Sequence, residues 1–242
     1  MSAVELVAEL QQALRITADP QRAAQSKAYL KSADDFLGVS VPAGQRVVAD
    51  FLRAHGELPF STVREIAQAL WQSNMHEDKR LAMQLMHAYV AALTADEWAM
   101  LSQRIRQSGS WDLVDEISAH LLGTLAERFP EFEAEFDGWV ADDDLWVRRA
   151  SLVSQVVRLR QRTVTPARVR DLCLPMIEDK EYFVRKALGW LLRECAVLDP
   201  EGTIAFLRPW RKTISRMILR EAVCKLDPAR QAVILEGDDA GK

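Results

Sequence analysis

What this chain lacks narrows its chemistry before anything in it is interpreted. It has only three cysteines, Cys173, Cys195 and Cys224. An odd, scattered set excludes a disulfide framework and points to buried thiols in a reducing compartment. Its four histidines, His55, His76, His87 and His120, show no metal-ligand spacing, and "HEDKR" is not His-Glu-x-x-His. No glycine-rich loop follows a strand to cradle a phosphate, and no serine or cysteine nucleophile elbow occurs. A hydrolase built on this chain works without metal, cofactor or covalent triad. No apolar run approaches the length of a membrane span. The start, "MSAVELVAELQQALRI", carries acids early and is not expected to be a signal peptide. The expected location is the cytoplasm. The formal net charge of −4 removes the simple case of a uniformly basic nucleic-acid binder, although the charge is unevenly distributed.

What is present is helix. Apolar residues recur at three- and four-residue steps, and strict alternation is rare. "TADE" (Thr94 to Glu97) predicts a capping box, Ser61 of "STVREIAQALW" predicts an N-cap, and Pro166 after Thr165 suits a first helical turn. Glycines and prolines fall mainly between such segments. No low-complexity linker divides the chain. Residues 1–236 are therefore expected to form one domain, followed by a polar tail at 237–242.

The helices repeat. "LWVRRASLV" (Leu145 to Val153) parallels "YFVRKALGW" (Tyr182 to Trp190), and the register extends to Ala82, Ile117, Ala150, Ala187 and Ala222, spaced by 35, 33, 37 and 35 residues. Two helices per repeat at that period predict an all-α, HEAT-like solenoid with a concave face. Two residues before each anchor stand Arg80, Asp115, Arg148, Arg185 and Arg220. Asp115 is thus a carboxylate in an arginine register.

Two stretches, Trp146 to Arg170 and Leu207 to Arg220, contain no acid, while acids crowd "PEFEAEFDGWVADDD". Charge runs ordinarily mark solvated faces. Acid-free stretches in consecutive repeats also suit a cationic surface that follows a phosphate backbone. Trp111 stands at a helix start, where a small polar residue is more ordinary, with Asp115 one turn on and on the same side. Asp115 reads either as a surface ion-pair partner or as a functional carboxylate. Trp190, three residues before Arg193 on one helix face, reads either as core or as part of a site. Trp146 matches Phe183 in register and reads as core.

Together these segments resemble the DNA alkylation repair glycosylases of the AlkD type, built from HEAT-like repeats. The resemblance runs from about Tyr29 to Lys225 and rests on "AYLKSADDFLGVSVPAGQR", "LWQSNMHEDKRLAMQLM", "SWDLVDEI", "WVRRASLV" and "KEYFVRKALGWLLRE". It implies that Trp111, Asp115 and Trp190 are catalytic. It implies that Arg149 and Arg193, with Arg148 and Tyr29 beside them, bind DNA. The implied reaction is hydrolysis of the N-glycosidic bond of N3- or N7-alkylated purines in double-stranded DNA. The implied enzyme is a monofunctional, metal-free monomer that does not flip the base into a tight pocket and works at the bacterial nucleoid. The alternatives are a non-catalytic HEAT-repeat DNA-binding module and a protein–protein scaffold.

Overall fold

Local chain signals set most helix boundaries. A computed structural model describes residues 1–30 and 32–236; the tail expected at 237–242 lies outside the described residues. Among the described residues there is no strand, only an isolated bridge between Asp35 and Met75. The chain divides into two compact units, Met1–Ile117 and Ser118–Lys242.

The first unit contains α1 (Ala3–Ile16), α2 (Pro20–Leu30), α3 (Val41–His55), α4 (Phe60–Trp71), α5 (His76–Ala88), α6 (Glu97–Gln107) and α7 (Trp111–Ile117). Helix α5 packs against α3, α4 and α7. Its apolar residues meet those of its neighbours in a core that includes Phe51, Ile66, Leu70, Leu81, Leu85, Leu101 and Leu113. Two expected caps differ in detail. Helix α4 begins at Phe60, because Pro59 precedes it and its carbonyl takes the Thr62 N–H at 2.9 Å. Ser61 therefore lies inside the first turn instead of capping it. At "TADE" the Glu97 carboxylate takes the Thr94 N–H at 2.6 Å and the Thr94 hydroxyl at 3.0 Å. The Thr94 hydroxyl oxygen accepts the Asp96 N–H at 3.4 Å, while the Glu97 N–H goes to the Thr94 carbonyl at 3.3 Å, so the reciprocal half of the capping box does not form.

The second unit opens with a π-helical segment, Ser118–Leu122. Then follow α8 (Gly123–Arg128), α9 (Glu133–Trp139), α10 (Leu145–Gln161), α11 (Pro166–Cys173), α12 (Tyr182–Leu198), α13 (Pro200–Leu207), α14 (Arg216–Val223) and α15 (Pro228–Leu235). Thr165 caps α11 as expected, accepting the Arg168 N–H at 3.2 Å with Pro166 behind it. Two layers result. Helices α10, α12 and α14 pack side by side, and α11, α13 and α15 form the second layer. Between them lies a core of Leu152, Val156, Val184, Leu188, Leu192, Leu207 and Leu219.

The repeat register is a packing register. Ala82, Ile117, Ala150, Ala187 and Ala222 are at most 1% exposed. In the second unit the alanines lie on α10, α12 and α14, where a methyl lets neighbouring helices approach closely. Three residues before the anchors, Val114, Val147, Val184 and Leu219 are buried as well, while Lys79 at the same register is partly buried and pairs with Asp34 at 2.6 Å.

The loop between α2 and α3 is held unusually firmly. Gly38 has φ +81°, and a Cβ there would lie 2.0 Å from the Asp19 carbonyl oxygen and 2.6 Å from the Ala23 nitrogen. Only glycine permits both the conformation and the approach. We predict that Gly38→Ala lowers the unfolding free energy by at least about 2 kcal/mol. Gly138→Ala, where an added Cβ meets nothing within 4 Å, should leave it unchanged or raise it by up to about 1 kcal/mol. Urea unfolding of the two variants checks this; equal midpoints would contradict it.

Candidate functional site

In the first unit the candidate residues gather at the start of α7. Gly109, at φ +61°, turns the chain, and Ser110 is fully buried before the helix begins at Trp111. Trp111 is partly buried, and its indole N–H is shielded from solvent with no hydrogen-bond partner among the described residues. Tyr29, at 67% exposure, meets it edge to face with ring centroids 6.4 Å apart. Asp115 lies one turn further along α7 and is partly buried. This unit thus brings Tyr29, Trp111 and Asp115 into one neighbourhood: two aromatic rings and a carboxylate.

Beneath that helix start lies a polar node on α5 that sequence reasoning missed. His76 is completely buried, its ring stacked on Phe36 with centroids 4.5 Å apart. Its Nε2 lies 2.7 Å from Asp112 Oδ2, and its Nδ1 lies 3.7 Å from Asp34. Arg80 approaches Asp112 at 3.8 Å and donates to the Val39 carbonyl at 2.5 Å. Glu77, 2% exposed, accepts the backbone N–H groups of Leu37, Gly38 and Val39 at 2.9, 2.8 and 3.1 Å. Burial pushes the Asp112 carboxyl upward. The hydrogen bond and charge of His76, with Ser110 and Arg80, outweigh this and hold it below its ordinary value of 3.8. The trace of this node in the sequence is Glu77, an acid in the first turn of α5; its partners lie 38 to 40 residues away.

The node also explains the repeat arginine. Arg80 clamps a loop carbonyl. Arg148 does the same, donating to the carbonyls of Asp142 and Asp143 at 2.7 and 3.1 Å and pairing with Asp179 at 2.8 Å. At these two positions the register arginine ties its helix to loop backbone: Arg80 to the loop between α2 and α3, and Arg148 to the loop just before α10. At Asp115 no such clamp can form, and a carboxylate takes the position.

In the second unit Arg149 on α10 is 4% exposed and donates to the Phe183 carbonyl at 2.6 Å. Trp146, expected in the core, is partly buried and packs on Phe183 with the rings tilted by 33° and centroids 5.3 Å apart. On α12, Trp190 is partly buried and donates from Nε1 to Glu194 at 3.1 Å, while Arg193 pairs with Glu221 of α14. Helices α10 and α12 pack together, so they carry Arg149, Trp190 and Arg193 on adjacent elements.

The acid-free run from Trp146 to Arg170 is not a bare cationic face. Arg158 pairs with Glu133, Arg160 with Glu194, Arg168 with Asp137 and Arg170 with Asp199. The acids come from other helices and were invisible in the run itself. The second stretch is different. Arg208, Lys212, Arg216 and Arg220 are exposed, and none has a carboxylate partner among the described residues. Of the thiols, Cys173 and Cys195 are buried and Cys224 is exposed. Burial raises both buried thiols, Cys195 to about 12, so neither supplies a thiolate nucleophile near neutrality.

A profile of the family described as DNA alkylation repair enzyme matches residues 10–226. Among solved structures, the chain is similar to a protein described as a predicted DNA alkylation repair enzyme from Enterococcus faecalis, at 20% identity and TM-score 0.74, over 88% of this chain and 98% of that one. It is also similar to AlkD2 from Streptococcus mutans, at 15% identity and TM-score 0.60, over 86% of this chain and 98% of that one. The protein smu.31 of Streptococcus mutans UA159 matches at 16% identity and TM-score 0.59, again over 86% and 98%. At these identities the likeness is one of fold. No curated protein matches significantly.

The buried node predicts a pH signature. A carboxyl held below its unfolded value contributes stability above that value and loses it as pH falls through the folded value. Asp112→Asn should therefore cost about 3 kcal/mol at pH 7, because it removes the buried carboxylate charge that His76 Nε2 and Arg80 face. The difference from wild type should shrink as pH falls below the ordinary aspartate range near 3.8. Urea midpoints at pH 7, 5 and 3 measure it; a pH-independent difference would remove the charge interaction as the cause.

Proposed function

The chain belongs to the DNA alkylation repair enzyme family, and from that premise we propose that it is a monofunctional DNA glycosylase acting on cationic N3- or N7-alkylated purines in double-stranded DNA. The observation that carries the reading is the start of α7. There Trp111, backed by Tyr29, and Asp115 present a π face and a carboxylate one helical turn apart. In the proposed reaction the bond between the sugar C1′ and the purine nitrogen breaks, and its electron pair leaves with the base. An alkylated purine already carries positive charge, so it departs neutral without a proton from a general acid. The second carboxyl of ordinary glycoside hydrolysis is then unnecessary. Asp115 stabilises the oxocarbenium character that builds at C1′ and orients the water whose oxygen bonds there. That water's second proton is released, leaving an abasic site and free base.

Trp111 and Trp190 supply indole faces for the cationic nucleotide and sugar. Arg149 and Arg193 hold flanking phosphates, with Arg148 and Tyr29 nearby in their own units. The exposed cations between Arg208 and Arg220 add sequence-independent attraction to the backbone. The reading takes residues 1–236 as one HEAT-like repeat domain acting as a monomer. No helix among the described residues is long and apolar enough to cross a membrane.

The test is release of base from duplex DNA containing 7-methylguanine. Wild type should release it well above the spontaneous rate. Asp115→Asn should lose at least about a hundredfold in single-turnover rate while retaining the fold. Duplex binding without base release would leave a non-catalytic DNA-binding module as the better reading. An absence of salt-dependent duplex binding would favour a protein scaffold.

A further inference from the structure

The arginines of the second unit raise a question that the glycosylase reading leaves open. A cation meant for phosphate should meet DNA unpaired, yet Arg193 and its neighbour Arg160 are already occupied. Glu194, 15% exposed, sits at the centre of the arrangement. Its carboxylate takes Arg160 in fork geometry, Nε at 3.0 Å and Nη2 at 2.7 Å. The same group accepts the Trp190 indole N–H at 3.1 Å and lies 3.6 Å from Arg193. Arg160 extends over Trp190, its guanidinium carbon 5.8 Å from the ring centroid. Glu221 of α14 holds Arg193 from the other side.

This arrangement has its own structural provision. A Cβ on Gly189 would lie 2.8 Å from Glu221 Cβ and 3.0 Å from its Cγ. The bare backbone of α12 at Gly189 is what lets the Glu221 stem lie across that helix and reach Arg193. Glu194 is held below the ordinary carboxylate range, chiefly by its hydrogen bond from Arg160. It is charged at neutral pH.

A carboxylate in fork geometry on a guanidinium presents the same paired oxygens as a phosphate. We propose that Glu194 and Glu221 are phosphate stand-ins, occupying Arg160 and Arg193 in the free protein and lowering its affinity for undamaged duplex, with Arg160 a further phosphate-binding cation. The proposal rests on the DNA-binding part of the reading above. A backbone phosphate must displace each carboxylate or sit beside it. Either event weakens binding that depends on phosphates alone, which is the whole of binding to undamaged DNA. Half-exposed Arg160, at 53% side-chain exposure, can swing from one acceptor to the other. Trp190 stays seated while Glu194 retains an oxygen for its N–H.

Glu194→Gln and Glu221→Gln test this. Glutamine keeps an acceptor for the indole and removes the charge. Each variant should bind undamaged duplex about fivefold more tightly at 0.1 M salt. The slope of log affinity against log salt should steepen by about 0.9 for each arginine released. Unchanged or weaker binding by both variants, with thermal unfolding like wild type, overturns the proposal and leaves the network purely structural. So does an absence of duplex binding by all three proteins. If Glu194→Gln fails to fold, Glu221→Gln decides alone. Release of 7-methylguanine by wild type is read separately. Base release with variants that bind like wild type sinks only this inference. Tighter-binding variants without base release sink only the glycosylase assignment.

Discussion

The first unit hangs on a buried carboxylate, Glu77. Its two oxygens receive three consecutive backbone N–H groups from the loop between α2 and α3. The Gly38 and Val39 donors are buried and would otherwise go unmet. Arg80 closes the same loop through the Val39 carbonyl, and His76 carries the node on to Asp112 in the first turn of α7. Loop, α5 and the start of α7 are thereby one hydrogen-bonded assembly. Trp111 and Asp115 project from the part that it fixes. A catalytic carboxylate needs a rigid support, because small displacements of a stabilising charge cost rate steeply. On the proposed reading of Asp115, the node is that support.

The two acids of the "WDLVD" segment therefore do different work. Asp112 faces inward, paired with a buried histidine and approached by a buried arginine. Asp115 is three residues on and partly exposed. The repeat makes the division intelligible. Where the register holds Arg80 and Arg148, the helix is tied to a loop carbonyl. Asp115, a carboxylate, cannot donate to a carbonyl in that way; on α7 it is Asp112 that reaches α5, through His76.

Charge behaves in a similar way in the second unit. The run from Trp146 to Arg170 is cationic along the chain, yet Glu133, Asp137, Asp179, Asp199 and Glu194 from other segments meet its arginines. Exposed pairs such as Arg168–Asp137 contribute little stability, and the shared consequence of all five is electrostatic. They cut back an otherwise strong positive field and leave the exposed cations near α14 as the more available ones. In a protein whose net charge is −4, cationic surface is local and deliberate in placement, and its strength is set by which acids fold against it.

Helix content, the small-residue register and the odd carboxylate at Asp115 were all legible in the sequence, because each depends on neighbours within a turn or on a period of about 35 residues. The resemblance carried by "SWDLVDEI" and "KEYFVRKALGWLLRE" named the same residues that the two units place on the first turn of α7 and on α12. Three things were not legible. Ser61 looked like a cap, yet Pro59 had already closed the turn. The basic run looked bare, yet its counter-charges lie on other helices. The His76–Asp112 and Glu77–loop contacts join residues 36 to 40 apart. Periodicity and capping are local and repeat along the chain, so sequence alone determines them. Which buried donor meets which distant carboxylate depends on how helices stack, and only the tertiary structure decides that.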